Sequence, residues 1–268
     1  MAAPKAGPVA GTAGRLAGRR ALVTGASSGI GESAARLLAA EGAAVGLLAR
    51  RAGELQRVAA DLPGAVTVPA DISDHRQVLR ALDETEAAIG PVDIVVNCAG
   101  VIGPTPLDRL TPEIWDQVLG INLSGAFYVG REAGLRMRGR SGGHIVNVAS
   151  DLAFTAAPGY VDYCAAKAGV VGLTRGLAVE LAPSVLVNAV APGPVDTPMM
   201  DHELSMADDP ETAREETIRR VPLLRVAGPD EVARAILFLL TDAGYTTGSV
   251  LPIDGGVTAL SRLSGDVV

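Results

Sequence analysis

From residue 18 to residue 257 the chain alternates short apolar runs with longer stretches whose apolar residues recur at helical spacing. The short runs are RALVTG (20–25), AAVGLLA (43–49), VTVPAD (66–71), DIVVNCAG (93–100), HIVNVAS (144–150), LVNAVAPG (186–193) and SVLPIDGG (249–256). Several are apolar at successive positions, as parallel strands covered on both faces must be. Helices are predicted over 30–41, 52–61, 74–89, 111–138, 160–182 and 229–241. This alternation predicts an α/β fold: one doubly wound, seven-stranded parallel sheet with helices on both faces. No internal repeat or linker interrupts residues 18–257. Residues 198–228 break the rhythm with Met, Pro and mixed charge, and read either as a mobile substrate lid or as a surface insertion. Residues 1–17, rich in Ala, Gly and Pro, are expected to form a flexible N-terminal tail, and the weakly patterned residues 258–268 a C-terminal tail.

Composition narrows the classes of function. A net charge of −7 argues against nucleic acid or an anionic membrane as a partner, and 3% aromatic residues leave little for base stacking. The two cysteines, Cys98 and Cys164, suit a reducing compartment. His75, His144 and His202 show no metal-ligand spacing, so no metal is expected. The longest apolar stretch, AARLLAAEGAAVGLLAR, is broken by Glu41 and falls short of the ~18 residues of a membrane helix. The N-terminus lacks the apolar centre of a signal peptide. A cytoplasmic location is the resulting expectation.

In doubly wound sheets ligands sit at the carboxyl ends of the strands. There the first run leads into TGASSGIG, with Gly25, Ser27, Ser28, Gly29, Ile30 and Gly31 opening a helix. Glycines at this turn let the backbone approach a pyrophosphate held at a helix N-terminus, a Rossmann-type arrangement. The spacing is neither G-x-G-x-x-G nor a Walker A loop, because Glu32 and Ser33 follow the last glycine. At the end of the second run stand Arg50 and Arg51, with no acid to hold an adenosine ribose. Two arginines there favour the 2′-phosphate of NADP(H) over NAD(H), the alternative being two solvated arginines at a helix start.

The basic residues hold a second signal. Of 23, only Lys5 and Lys167 are lysines. Lys167 follows Tyr163 by four residues, on one face of a helix, whereas Tyr160 has Cys164 at that offset. With TGASSGIG, ADIS (Asp71 and Ile72), NCAG (Asn97, Ala99 and Gly100), INLSG, Ser150, PGPVDT (192–197) and DGG (254–256), this ordered set resembles the short-chain dehydrogenase/reductase family. The resemblance implies that the glycine loop cradles a dinucleotide pyrophosphate, that Asp71 contacts adenine, and that Ile72, Asn97, Ala99 and Gly100 also belong to the cofactor-binding residues. It also implies that backbone around Pro192, Gly193, Val195 and Thr197 holds the nicotinamide amide, and that Asn122, Ser150, Tyr163 and Lys167 form a catalytic tetrad. Two departures stand out: Cys98 replaces a commoner asparagine, and ELAPSVLVNAVAPG is about two residues short before the sixth strand.

The residue chemistry runs parallel to the resemblance. Reducing a ketone requires a hydride at carbon and a proton at the developing alkoxide. Tyr163 is the expected acid and base, with Lys167 and an oxidised nicotinamide lowering its pKa. Ser150 can polarise the carbonyl, Lys167 can hold the nicotinamide ribose, and Asn122 can position a relaying water.

Val101, Ile102, Asp151, Leu152, Pro158, Tyr160, Met199 and Met200 are candidate substrate walls, suggesting a mainly apolar pocket for a small-molecule ketone or alcohol. A 3-oxoacyl group on a carrier protein is the second option. Arg131, Arg136, Arg138 and Arg140 form either a dock for an acidic carrier or a solvated helix end. A non-redox enzyme of the same fold, epimerase- or lyase-like, is the rival class. The resemblance also implies a homotetramer or dimer built on 111–138, 160–182 and the final strand.

Overall fold

The computed structural model describes residues 14–260. All seven apolar runs form strands: β1 (Arg20–Thr24), β2 (Ala44–Ala49), β3 (Val66–Pro69), β4 (Ile94–Asn97), β5 (Gly143–Val148), β6 (Val185–Pro192) and β7 (Val250–Ile253). They pair in parallel in the order β3-β2-β1-β4-β5-β6-β7. The chain winds outward from β1 to β3, then restarts at β4 and winds the other way. Between β1 and β4 the following segments diverge to opposite faces, which opens the crevice where such sheets bind ligands.

Nine helices cover the sheet among the described residues: α1 (Gly29–Ala40), α2 (Ala52–Ala60), α3 (His75–Ile89), α4 (Pro112–Leu119), α5 (Gly125–Arg138), α6 (Val161–Leu181), α7 (Pro198–Leu204), α8 (Pro210–Arg219) and α9 (Pro229–Thr241). Alternate strand residues feed two cores. Ala21, Val23, Val45, Leu47, Ile94, Val96, Val146 and Val190 join Ala34, Leu38, Ile236 and Leu240 on the α1/α9 face. Leu22, Leu48, Val95, Ile145 and Val187 join Val78, Leu82, Val129, Met137 and Leu177 on the α3/α5/α6 face. Both residue parities are therefore apolar, which is why the strands read as continuous runs.

Four boundaries depart from the sequence reading. The helix expected over 111–138 is interrupted by a π-helical turn, Gly120–Ser124, between α4 and α5. Residues 198–228, which break the apolar rhythm and for which no helix is predicted, hold α7 and α8. Residues 14–17, assigned to the tail, belong to the fold: Leu16 is 3% exposed and its N–H donates to the Glu41 carbonyl at 2.8 Å. Likewise Val257–Ala259 form a 3-10 turn in which the Thr258 N–H donates to Asp254 Oδ2 at 2.7 Å. The rest of the two expected tails, residues 1–13 with Lys5 and residues 261–268, lies outside the described residues.

Candidate active site

The glycine loop leaves β1 at the carboxyl edge of the sheet. Gly25 and Gly29 take φ of +67° and +58°, the left-handed region that favours glycine. A Cβ on Gly25 would stand 2.8 Å from the Ala99 Cα, and one on Gly31 2.3 Å from the Gly25 carbonyl oxygen. Thr24 Oγ1 accepts the Cys98 and Ala99 N–H groups at 3.0 and 3.1 Å, tying the exits of β1 and β4 together. Ser28, which precedes α1, makes no side-chain cap, so the first N–H groups of α1 stay open toward the cleft.

Arg51 is drawn onto this loop, its Nη2 donating to Ser27 Oγ and Ser28 Oγ, both at 3.0 Å. Arg50 is exposed and lines the same cleft. Glu32, the acid nearest the loop, is committed to Arg57 at 2.7 Å and Arg36 at 2.9 Å, which hold its carboxyl below the usual range. Asp71 and Ile72 line the cleft beyond β3, with Asp71 Oδ1 accepting the Ser73 N–H and hydroxyl at 2.9 and 2.7 Å.

Asn97 departs from its expected place among the cofactor residues. Its Nδ2 donates inward, to Asn147 Oδ1 at 2.9 Å and the Ala126 carbonyl at 3.2 Å. Asn147 in turn donates to Thr174 Oγ1 at 2.9 Å. Asn97 and Asn147 are register partners on β4 and β5, so this buried ladder fastens the sheet to α6 and does not line the cleft.

Deeper in the cleft, the π-helical turn, the end of β5 and α6 bring Asn122, Ser150, Tyr163 and Lys167 together. Lys167, 5% exposed, donates from Nζ to the Val148 carbonyl at 2.8 Å and lies 5.5 Å from the Tyr163 ring centroid. Burial pushes its ammonium down to about 8. Burial also raises the Tyr163 hydroxyl above its ordinary value, with the Ser150 hydroxyl opposing the shift. The expected lowering joined Lys167 to an oxidised nicotinamide; the chain's own groups, by themselves, leave the hydroxyl raised. The Lys167 ammonium, over the ring face at 5.5 Å from its centroid, does not offset the effect of burial. Cys98, beside Lys167, is pushed up to about 12 by burial and behaves as an inert thiol.

Asn122 lies in the π-helical turn and is 1% exposed. Its Oδ1 accepts the Val101 N–H at 3.2 Å, and its Nδ2 donates to the Val101 and Val118 carbonyls at 2.9 and 3.1 Å. A Cβ on Gly100 would stand 2.6 Å from Asn122 Oδ1, so glycine allows this approach. Ser150 follows β5, and its hydroxyl donates to Asp151 Oδ1 at 2.9 Å while accepting the Leu152 N–H at 3.2 Å.

The cleft encloses about 1280 Å³. Val101, Ile102, Asp151, Leu152, Tyr160, Met199 and Met200 line it, as do Pro192, Gly193, Val195 and Thr197; Pro158 does not. Residues 198–228 add His202, Glu203 and Arg220, which the sequence reading did not place there. Tyr160, just before α6, donates its hydroxyl to Glu203 of α7. Burial and that carboxylate raise the Tyr160 pKa. The signal for these lid residues lay in Thr197-Pro198 and Asp209-Pro210, each a helix cap followed by proline.

The residues fit an extended dinucleotide. A left-handed glycine loop, an uncapped helix N-terminus and an ordered arginine lie at one end of the cleft, and Tyr163, Lys167 and Ser150 at the other. A doubly wound sheet with this cleft at its switch point defines a nucleotide-binding oxidoreductase. A family model described as Enoyl-(Acyl carrier protein) reductase matches residues 25–258. The chain is 40% identical over 249 residues to the 3-oxoacyl-[acyl-carrier-protein] reductase of Thermotoga maritima, covering 91% of this chain and 99% of that one. It is 42% identical over 251 residues to the cis-4-hydroxycyclohexanecarboxylate dehydrogenase of Sinomonas cyclohexanicum, with coverages of 91% and 98%. The crystal structure of levodione reductase superposes with a TM-score of 0.89 at 36% identity, covering 92% of this chain and all of that one. The chain belongs to the short-chain dehydrogenase/reductase family, nicotinamide-dependent oxidoreductases acting on ketones and alcohols. No helix among the described residues is long and apolar enough to cross a membrane.

Proposed function

We propose that this protein is an NADP(H)-dependent oxidoreductase that interconverts a small-molecule ketone and a secondary alcohol, with Tyr163 as general acid and base. The convergence of Tyr163, Lys167, Ser150 and Asn122 on one cleft with the glycine loop carries the reading. When bound, the nicotinamide supplies the hydride. Ser150 polarises the carbonyl, and Tyr163 gives its proton to the developing alkoxide. Tyr163, whose pKa burial raises, holds that proton through neutral pH and has it to give in the reductive direction. Lys167, with two ammonium hydrogens left beyond Val148, holds the cofactor ribose and restrains Tyr163. Asn122 braces the Val101 backbone and positions the proton-relaying water beside Lys167.

Gly25 through Gly31 hold the pyrophosphate, Asp71 and Ile72 the adenine side, Ala99 and Gly100 the ribose side, and residues 192–197 the nicotinamide amide. The preference for NADP(H) rests on Arg50 and Arg51. Arg51 is already ordered against Ser27 and Ser28, and no free carboxylate opposes a 2′-phosphate there.

The carrier-linked reading keeps support from the Thermotoga relative, but the arginine cluster does not favour it. Arg136 and Arg140 pair with Glu86, Arg131 pairs with Glu132, and Arg138 donates to the Glu180 carbonyl. The cluster therefore satisfies the protein's own acceptors. Net cofactor turnover separates the redox reading from an epimerase- or lyase-like one.

The test is NADPH consumption, with NADH in parallel, over cyclic ketones and β-ketoesters. Tyr163→Phe should retain NADPH binding and lose turnover at least a hundredfold. Arg51→Ala should weaken NADPH roughly 10- to 100-fold while sparing NADH, as loss of charge-assisted phosphate contacts requires. Wild-type binding of NADPH with no turnover in either direction defeats the oxidoreductase assignment. Equal weakening of both cofactors removes the phosphate role.

A further inference from the structure

The geometry beside Ser150 points to the substrate class, on the reading that this cleft reduces a carbonyl. We propose that the substrate is a neutral ketone bearing a hydroxyl on the adjacent carbon, and that Asp151 is the specificity-determining acceptor of that hydroxyl. The observation is how Ser150 spends its one proton. That proton, needed to polarise the carbonyl, is donated to Asp151 Oδ1 at 2.9 Å. Oδ1 also takes the Leu152 N–H at 2.9 Å, while Oδ2 has no hydrogen-bond partner among the described residues. Asp151 lines the cleft, and its other oxygen is not sealed off from it.

A plain ketone must pull the Ser150 hydroxyl away from Asp151 and leave a poorly solvated carboxylate short of a donor, which is costly. A hydroxyketone exchanges donors. Its carbonyl oxygen accepts from Ser150 while its hydroxyl takes the vacated place on Asp151. The two groups on the protein stand 2.9 Å apart, and the two oxygens of the substrate sit on neighbouring carbons, so both contacts form side by side. Charge argues against an anionic substrate: Asp151 and Glu203 repel an anion, and the Arg220 guanidinium, near enough to act on both Asp151 and Tyr160, offsets only part of that negative charge.

In the reduction, hydride from the nicotinamide adds to the carbonyl carbon and the carbonyl π pair moves to oxygen. That oxygen takes the Tyr163 proton, and the neighbouring hydroxyl is unchanged, so the product is a vicinal diol. The enzyme's physiological supplier is therefore a reaction class that makes hydroxyketones, or, in reverse, one that makes diols.

The test compares kcat/KM for 2-hydroxycyclohexanone and cyclohexanone with NADPH. The wild type should favour the hydroxyketone roughly 10- to 100-fold. Asp151→Ala should collapse this ratio toward one, and Asp151→Asn, which keeps an acceptor, should restore part of it. A wild-type ratio near one, or a ratio that survives in Asp151→Ala, overturns the proposal while leaving the carbonyl-reductase reading intact. Turnover of neither ketone overturns both. Circular dichroism checks the folding of each variant, and the wild-type ratio stands as a test even where a variant fails to fold.

Discussion

Lys167 shows what a single residue costs the fold. Its folded pKa of about 8 lies below the ordinary 10.5, so the native state disfavours the charged form. The penalty, about 3 kcal/mol, is present in full below pH 8 and fades as pH rises toward 10.5, where the unfolded lysine also loses its proton. Lys167→Met removes the charge but gives up the 2.8 Å bond to the Val148 carbonyl, for roughly 1 kcal/mol of net stabilisation. Calorimetry at pH 7 should show Tm about 2–4 °C higher with activity lost, and the gain should vanish at pH 10. A lower Tm at pH 7 would mean that the Val148 contact outweighs the charge. Lys167 was legible because lysine is so rare in this chain. The direction of the Tyr163 shift was not, because burial depends on how β5, β6 and α6 close around it. Asn97 misled for a related reason: a motif fixes a position at a strand end, not the side of the strand from which a side chain leaves.

At the scale of elements, the strands were readable as continuous apolar runs and six of the helical segments by their apolar period. The two lid helices were not. In α8 no residue is buried, so hydrophobic period carries no information and only the cap residues mark the helix. The π-helical turn around Asn122 was also invisible, since one irregular turn scarcely disturbs a helical period. The segment 198–228 is anchored at its far end, where Ala227 pairs with Val195 and the Leu223 N–H donates to the Gly255 carbonyl, while α7 and α8 themselves make fewer polar contacts with the body. Tyr160 reaches Glu203 of α7, and Arg214 of α8 pairs with Asp196 at 2.7 Å. Local opening there is the expected low-stability motion of the fold. Tyr160→Phe should speed hydrogen exchange roughly tenfold in residues 198–204 while leaving α6 unchanged. Unchanged exchange in α7 would show that apolar packing, such as that of buried Met200, holds the lid instead.

For the whole molecule, the assembly expected from the family remains a proposal, and the helix faces suggest where it forms. Phe127 and Leu135 stand exposed on α5, and on α6 a stripe of Gly172, Gly176 and Val179 is exposed, with open space over both glycines. Small residues at this spacing allow close helix approach across a two-fold axis. Light scattering should report a dimer or tetramer, and Val179→Glu should shift it toward the monomer; a monomeric wild type rejects the assignment. The sheet order itself follows from the run of short strands and crossovers, whereas the depth and charge of the substrate end came only from how the lid folds back. The arginine bias seen along the chain has a practical side. Among the described residues Lys167 is the only side-chain amine, and it lines the cleft with its basicity already lowered. Amine-directed labelling reagents therefore find no other side-chain target on the described residues, and on the proposed function an acyl mark on Lys167 should be lost when NADPH is added, a direct footprint of cleft occupancy.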